Sequence, residues 1–152
     1  MSKKFRFILL SAVILVLMIM NPYKIIVVRG NSMYPTLKNG SILLGKKSDH
    51  FNRGDIVVAK NDAEEIIIKR IKYISDDYYY YSYDRNTGEA RLEEDSSYPR
   101  INYIMNIEHA TLLQMKVPKN QYYILGDNRE ISDDSRRFGT ITKESIIYKI
   151  VK

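Results

Sequence analysis

Residues 65–74 read EIIIKRIKYI, and the conformation of this stretch decides what kind of domain surrounds it. In an extended chain successive side chains alternate, so Ile67, Lys69, Ile71 and Tyr73 share one face and Ile66, Ile68, Arg70 and Lys72 the other. Lys69 is then a charge among apolar neighbours. If that face is buried, desolvation disfavours the ammonium and the neutral amine becomes a proton acceptor. An edge-strand lysine that snorkels to water is the alternative.

Working outward, the same grammar recurs. YKIIVV, SILLG, DIVVAK, YYYYSY, YYILG and SIIYKIV are short runs rich in Ile, Val and Tyr. Gly, Asn, Asp and Pro punctuate them in KNG, NRGD, NTGEA and GDN, as hairpins and tight turns require. No long segment past residue 24 has helical periodicity, so a mainly β domain of coiled antiparallel sheets is expected, with one helical turn around Tyr34 to Leu37. YYYYSY reads either as a stacking platform for bases or sugars or as a tyrosine-rich strand with alternate rings packed and exposed; the strand is favoured. The polar stretch from Asp84 to Asn106 reads as a hairpin or loop excursion.

The N-terminus is different. Phe7 to Met20 is a run of fourteen residues without charge, shorter than the roughly 20 that span hydrocarbon unaided. Snorkelling by Arg6 and interfacial Pro22 and Tyr23 would extend it to Phe5–Tyr23. The run ends in Met-Asn-Pro-Tyr-Lys, without the small residues of a processing site, which favours a retained anchor over a removable leader. The expected organisation is an anchor over residues 1–23 and one β-rich unit over 24–152. Lys3, Lys4 and Arg6 precede the run, while Lys24, Arg29 and Lys38 follow it, so charge leaves the orientation nearly balanced.

Composition narrows the chemistry. The 152 residues carry a formal charge of +6 and no cysteine, which excludes disulfides, a thiolate nucleophile and cysteine-ligated metal. His50 and His109 lie far apart without a metal-ligating spacing, so no metal or cofactor is expected. No basic helix or recognition motif points to nucleic acid.

Three islands remain: NSMYPTL at 31–37, IIIKRI at 66–71 and GDNREISDDSRRFG at 126–139. Ser-Met-x-Pro-Thr by itself is compatible with an ordinary turn, and the third island with a solvated loop. A serine hydroxyl is a weak nucleophile and needs a base within hydrogen-bonding reach. Neither histidine lies in an island of this kind; Lys69 does.

SMYPTL, GDIVV at 54–58, Lys69–Arg70 and GDNREISDDSRRFG together resemble, in order and approximate spacing, the bacterial type I signal peptidases. The resemblance runs from the N-terminal anchor to Gly139. It implies a membrane-bound serine endopeptidase of the signal peptidase and SOS-repressor protease fold, with one N-terminal transmembrane helix. The N-terminus would be cytoplasmic and the catalytic unit on the outer face of the plasma membrane. Ser32 would be the nucleophile and Lys69 its general base, a variant of serine-protease logic. Ser132 would hydrogen-bond and orient the lysine, Asp134 and Arg136 would form a supporting ion pair, and Asp127 would pair with Arg70. The oxyanion is assigned to the Ser32 amide and the region of Gly30, where some relatives carry a hydroxyl and this chain does not. Val28, Met33, Leu37, Ile67 and Ile68 are expected to line pockets for small side chains at the minus-one and minus-three positions of a strand-like substrate; each is also compatible with ordinary core. The implied partners are signal peptides of exported preproteins, the lipid bilayer and the export channel. Pro22 to Ser32 is ten residues, which keeps the hydroxyl within roughly 33–36 Å of the anchor.

Two features depart from the common pattern. IKYISDDYYYY stands where many relatives have a Gly-Leu-Pro-Gly-Asp turn, and the unit is short. A self-cleaving Ser-Lys protease and a non-catalytic peptide-binding or surface-fibre assembly protein on the same fold are the rival readings.

Overall fold

The computed structural model describes residues 3–19, 22–84, 90–93 and 110–151. Helix α1 covers Lys3–Ile19. Ten strands follow: β1 Tyr23–Val27, β2 Ile42–Lys46, β3 Ile56–Lys60, β4 Ile66–Ile74, β5 Tyr78–Asp84, β6 Ala90–Glu93, β7 Ala110–Lys116, β8 Gln121–Leu125, β9 Ile141–Thr142 and β10 Ile146–Val151. A four-residue helix, α2, spans Ser135–Phe138, and a 3-10 turn spans Lys143–Ser145. The mainly β expectation holds, and every strand pairing among the described residues is antiparallel.

Seven strands form one sheet in the order β1-β2-β10-β3-β4-β8-β9, and three form a second in the order β6-β5-β7. β3 lies in the middle of the large sheet and is buried on both faces, which explains its unbroken apolar run. Val57 and Ala59 pack with Phe51, Ile71 and Ile124 on one side. Ile56 and Val58 pack with Val28, Met33, Leu37 and Ile150 on the other. Each fully buried Val or Ile side chain contributes at most about 1.5–3 kcal/mol, so β3 holds together two cores.

The small sheet is joined to the large one by tyrosines. Tyr79 and Tyr123 lie with ring centroids 4.5 Å apart, and Tyr73 stacks on Tyr79 at 5.7 Å. The Tyr81 and Tyr123 hydroxyls share a hydrogen bond. Burial, that bond and the neighbouring phenols push the Tyr123 phenol upward. Tyr79 is buried and Tyr78 exposed, the alternation expected of a tyrosine-rich strand.

One boundary differs from the expectation. Tyr23, expected at the end of the anchor, is the first residue of β1 and pairs with Lys46. Helix α1 has 17 residues, and no helix among the described residues is long and apolar enough to cross a membrane by the usual length criterion. Of the expected 84–106 excursion, β6 is described and pairs with β5; the remainder lies outside the described residues.

Candidate active site

The β1–β2 connection carries Ser32. Its base is clamped by two backbone bonds, Val28 N to Ser41 O and Gly40 N to Val28 O, both 2.9 Å. Val28, Met33 and Leu37 drop into the second core and fix the loop from beneath. The expected helical turn is a run of turns across residues 32–36 in which the Leu37 amide donates to the Met33 carbonyl at 2.8 Å. The Tyr34–Pro35 peptide is cis.

Lys69 comes from β4, opposite Val57 in the register. It is 4% exposed, and its Nζ donates to Ser32 Oγ at 2.8 Å. Residues 37 apart in sequence are thus joined side chain to side chain. Burial pushes the Lys69 ammonium below its ordinary value, and the Arg136 charge acts in the same direction. Asp134 and Asp133 oppose this without cancelling it.

The third island wraps behind the pair. The Asn128 amide donates to the Ser32 carbonyl at 2.9 Å. Arg70 grips Asp127 through Nε at 2.8 Å and a second guanidinium nitrogen at 2.7 Å. Burial alone would raise the Asp127 carboxyl, but hydrogen bonds from Arg70 and Thr36 hold it below the usual carboxylate range. Asp134 is 1% exposed. It accepts from the Gly126 amide at 3.0 Å and from Arg136 Nε at 2.8 Å, and it caps α2. Burial would raise this carboxyl too; Arg136 and the Gly126 amide outweigh it, so Asp134 stays ionised.

Three expected roles fail on geometry. Ser132 Oγ is buried and makes no hydrogen bond to Lys69; the group it helps is Asp134, whose carboxylate it holds in the ionised form. Gly30 has φ +85, and its amide already donates to Asn39 Oδ1 at 3.0 Å, so it is not a free oxyanion donor. Among the described residues the Ser32 amide makes no hydrogen bond. Leu37 belongs to the second core and not to the groove wall, because it closes the loop one turn beyond Met33.

A groove of about 480 Å³ leads away from the serine and the lysine, lined in part by Val28, Met33, Val58, Ile66, Ile67 and Ile68. Four of the five expected pocket residues therefore reach it. Among the described residues the edge of β4 along it is open: β3 pairs with Ile66–Arg70 on one side, whereas β8 pairs only from Arg70 onward on the other.

The residue missed in the sequence is Gly126. A Cβ there would lie 2.1 Å from Ser132 Oγ and 2.6 Å from the Ser32 carbonyl oxygen. Only glycine lets the third island press this closely against the Ser32 loop. Its place at the head of GDN was the available signal, legible as a turn and not as a contact.

A hydroxyl bonded to a desolvated amine, at the end of an open-edged apolar groove, fits the peptidases as a class. The comparisons with known proteins narrow this. The family model described as signal peptidase, peptidase S26, matches residues 1–151. The chain belongs to that family. It is 29% identical to signal peptidase IB of Staphylococcus aureus (strain Mu50 / ATCC 700699), over 87% of this chain and 76% of that protein. It is 33% identical to signal peptidase I V of Bacillus subtilis (strain 168), over 79% of each. A crystal structure of a signal peptidase I from Enterococcus faecalis V583 has a TM-score of 0.42 at 22% identity, covering 68% of this chain and 97% of that one, a likeness too slight to bear on the fold.

Proposed function

We propose that this chain is a membrane-bound serine endopeptidase that removes signal peptides from exported preproteins by a Ser32–Lys69 dyad. The observation that carries the proposal is the 2.8 Å contact between Lys69 Nζ and Ser32 Oγ, made by an amine that burial drives toward its neutral form. The contact that the ammonium makes as a donor serves the neutral amine as an acceptor. The hydroxyl proton passes to Nζ while Oγ attacks the scissile carbonyl carbon. The oxyanion forms against the Ser32 amide. Collapse breaks the C–N bond, and the Lys69 ammonium returns its proton to the leaving amine. Water then attacks the acyl-enzyme and gives its proton to Lys69; collapse breaks the acyl–Oγ bond, and the Lys69 ammonium returns that proton to Ser32 Oγ. Asp134 and Arg136 hold the Gly126 turn behind the serine, and the Arg70–Asp127 pair closes the opposite side. No metal or cofactor enters any step.

Substrate would lie extended along the open edge of β4, with small side chains at minus one and minus three on the apolar floor of Val28, Met33, Ile67 and Ile68. The membrane reading draws support from α1 and from the start of the domain. Helix α1, about 25 Å long at 1.5 Å per residue, falls a little short of the roughly 30 Å hydrocarbon core, a mismatch met by local thinning and snorkelling. The outward face of β1 and β2 exposes Ile25 at 69% and Ile42 at 72%, an apolar surface next to the anchor. In this reading the N-terminus is cytoplasmic, the catalytic unit lies on the outer face of the plasma membrane, and preproteins arriving from the export channel meet the groove at bilayer height. The rival Ser-Lys and binding-protein readings have no observation in their favour.

The test is cleavage of a preprotein by the full chain in detergent or lipid. Ser32→Ala and Lys69→Ala should each abolish it, and activity should rise with pH as Lys69 loses its proton, below the ordinary lysine range. Unchanged cleavage in either variant, or an inactive parent, overturns the proposal.

A further inference from the structure

The groove beside Ser32 holds one charge that the proposed chemistry leaves unused. Its lining side chains are apolar except for Ser32, Lys69 and Arg29. Arg29 is exposed, and among the described residues it has no carboxylate partner. Arg53, Arg70, Arg136 and Arg137, by contrast, each pair with an Asp. Burial alternates where the chain leaves β1: Val27 is exposed, Val28 is 3% exposed and Arg29 is exposed again. Val28 therefore points into the floor, and Arg29 points to the rim.

An extended peptide in this groove has the same alternation. If its minus-one and minus-three side chains face the floor, those at minus two and minus four face the rim, where Arg29 stands. We propose that Arg29 is a specificity determinant that favours substrates with Asp or Glu at minus two or minus four. The inference rests on the peptidase reading above and extends it to a substrate class. A rim cation meeting a carboxylate in water acts modestly on affinity and is screened by salt. Its effect belongs in KM and not in kcat. The floor positions behave oppositely: a carboxylate at minus one or minus three would be desolvated against Val28 and Met33, so acid there should block binding.

The experiment uses the full-length chain in a detergent with uncharged headgroups, which removes anionic lipid as a competing partner for Arg29. Peptides identical except for Glu, Gln or Lys at minus two, and separately at minus four, are compared. At low salt the kcat/KM ratio of Glu to Lys should be about five- to tenfold at one of these positions, carried by KM. It should fall toward one near 1 M salt, where the screening length is about 3 Å. Arg29→Gln should flatten the ratio and Arg29→Glu should invert it. A ratio that survives Arg29→Gln, or equal cleavage of the Glu and Lys peptides by the parent, overturns the inference. Binding of the same peptides to the Ser32→Ala chain separates the two failures: equal affinity there overturns the charge preference whether or not the parent cleaves.

Discussion

Lys69 and Arg70 are adjacent on β4, yet the fold treats them oppositely. Lys69 turns inward, is 4% exposed and meets a neutral hydroxyl. Arg70 turns to the other face of β4, where it is half-buried, and meets Asp127 through two nitrogens. Burial lowers the lysine's pKa, while the Asp127 hydrogen bond raises that of the arginine. Two cations one residue apart thus become an amine whose charge burial weakens and a permanent tie. Chemistry reinforces the division: an ammonium yields its proton when desolvated, whereas a guanidinium does not deprotonate in proteins. The strand's period of two does the sorting, and what lies on each face completes it.

The sharpest way to break the comparison is Lys69→Arg, which makes both positions permanent cations. Cleavage should fall about 10²–10⁴-fold with no alkaline recovery, the range that a positioned base supplies; a pH-rate series checks this. Next comes Asp134→Ala, which strips the buried partner from Arg136 and the Gly126 amide. Denaturant unfolding should show a loss of about 3–5 kcal/mol at pH 7. Because the Asp134 carboxyl is held below its unfolded value, this stabilisation is present above about pH 4 and lost as pH falls through the lowered value. Gly126→Ala should cost about 100-fold in kcat, since a displacement of about 1 Å at Ser32 is enough for that. Circular dichroism close to that of the parent would assign the loss to the site. The smallest effect belongs to the Arg70 face of β4: Asp127→Asn should destabilise by about 1–3 kcal/mol, the range for a hydrogen-bonded charge, and should leave the shape of the pH-rate curve intact.

Much of the fold was legible because strand periodicity is local. EIIIKRIKYI, DIVVAK and SIIYKIV became β4, β3 and β10. β7 escaped, since Ala, Leu, Gln, Met and Lys in ATLLQMK are helix formers. It is a strand because seven residues of β5 pair with it from Tyr78 to Asp84, a tertiary demand that overrides propensity. At the site, the expected Arg70–Asp127 and Asp134–Arg136 pairs are present. Ser132, Gly30 and Leu37 do not make the contacts expected of them, because hydrogen-bond partners and depth of burial depend on how three separated loops pack. Sequence order carries no information on which amide Asn39 captures.

By itself, then, the sequence determined the pattern of strands, the apolar N-terminal run and the chemical kinds available: hydroxyl, amine, carboxylates, and no thiol. These follow from side-chain identity and from a backbone period that acts over a few residues. Only tertiary structure decided that Lys69 lies buried 2.8 Å from Ser32, that Gly126 leaves room for the third island, and that Arg29 lines the groove. Those are matters of distance and solvent access, set by which segments remote along the chain are pressed together.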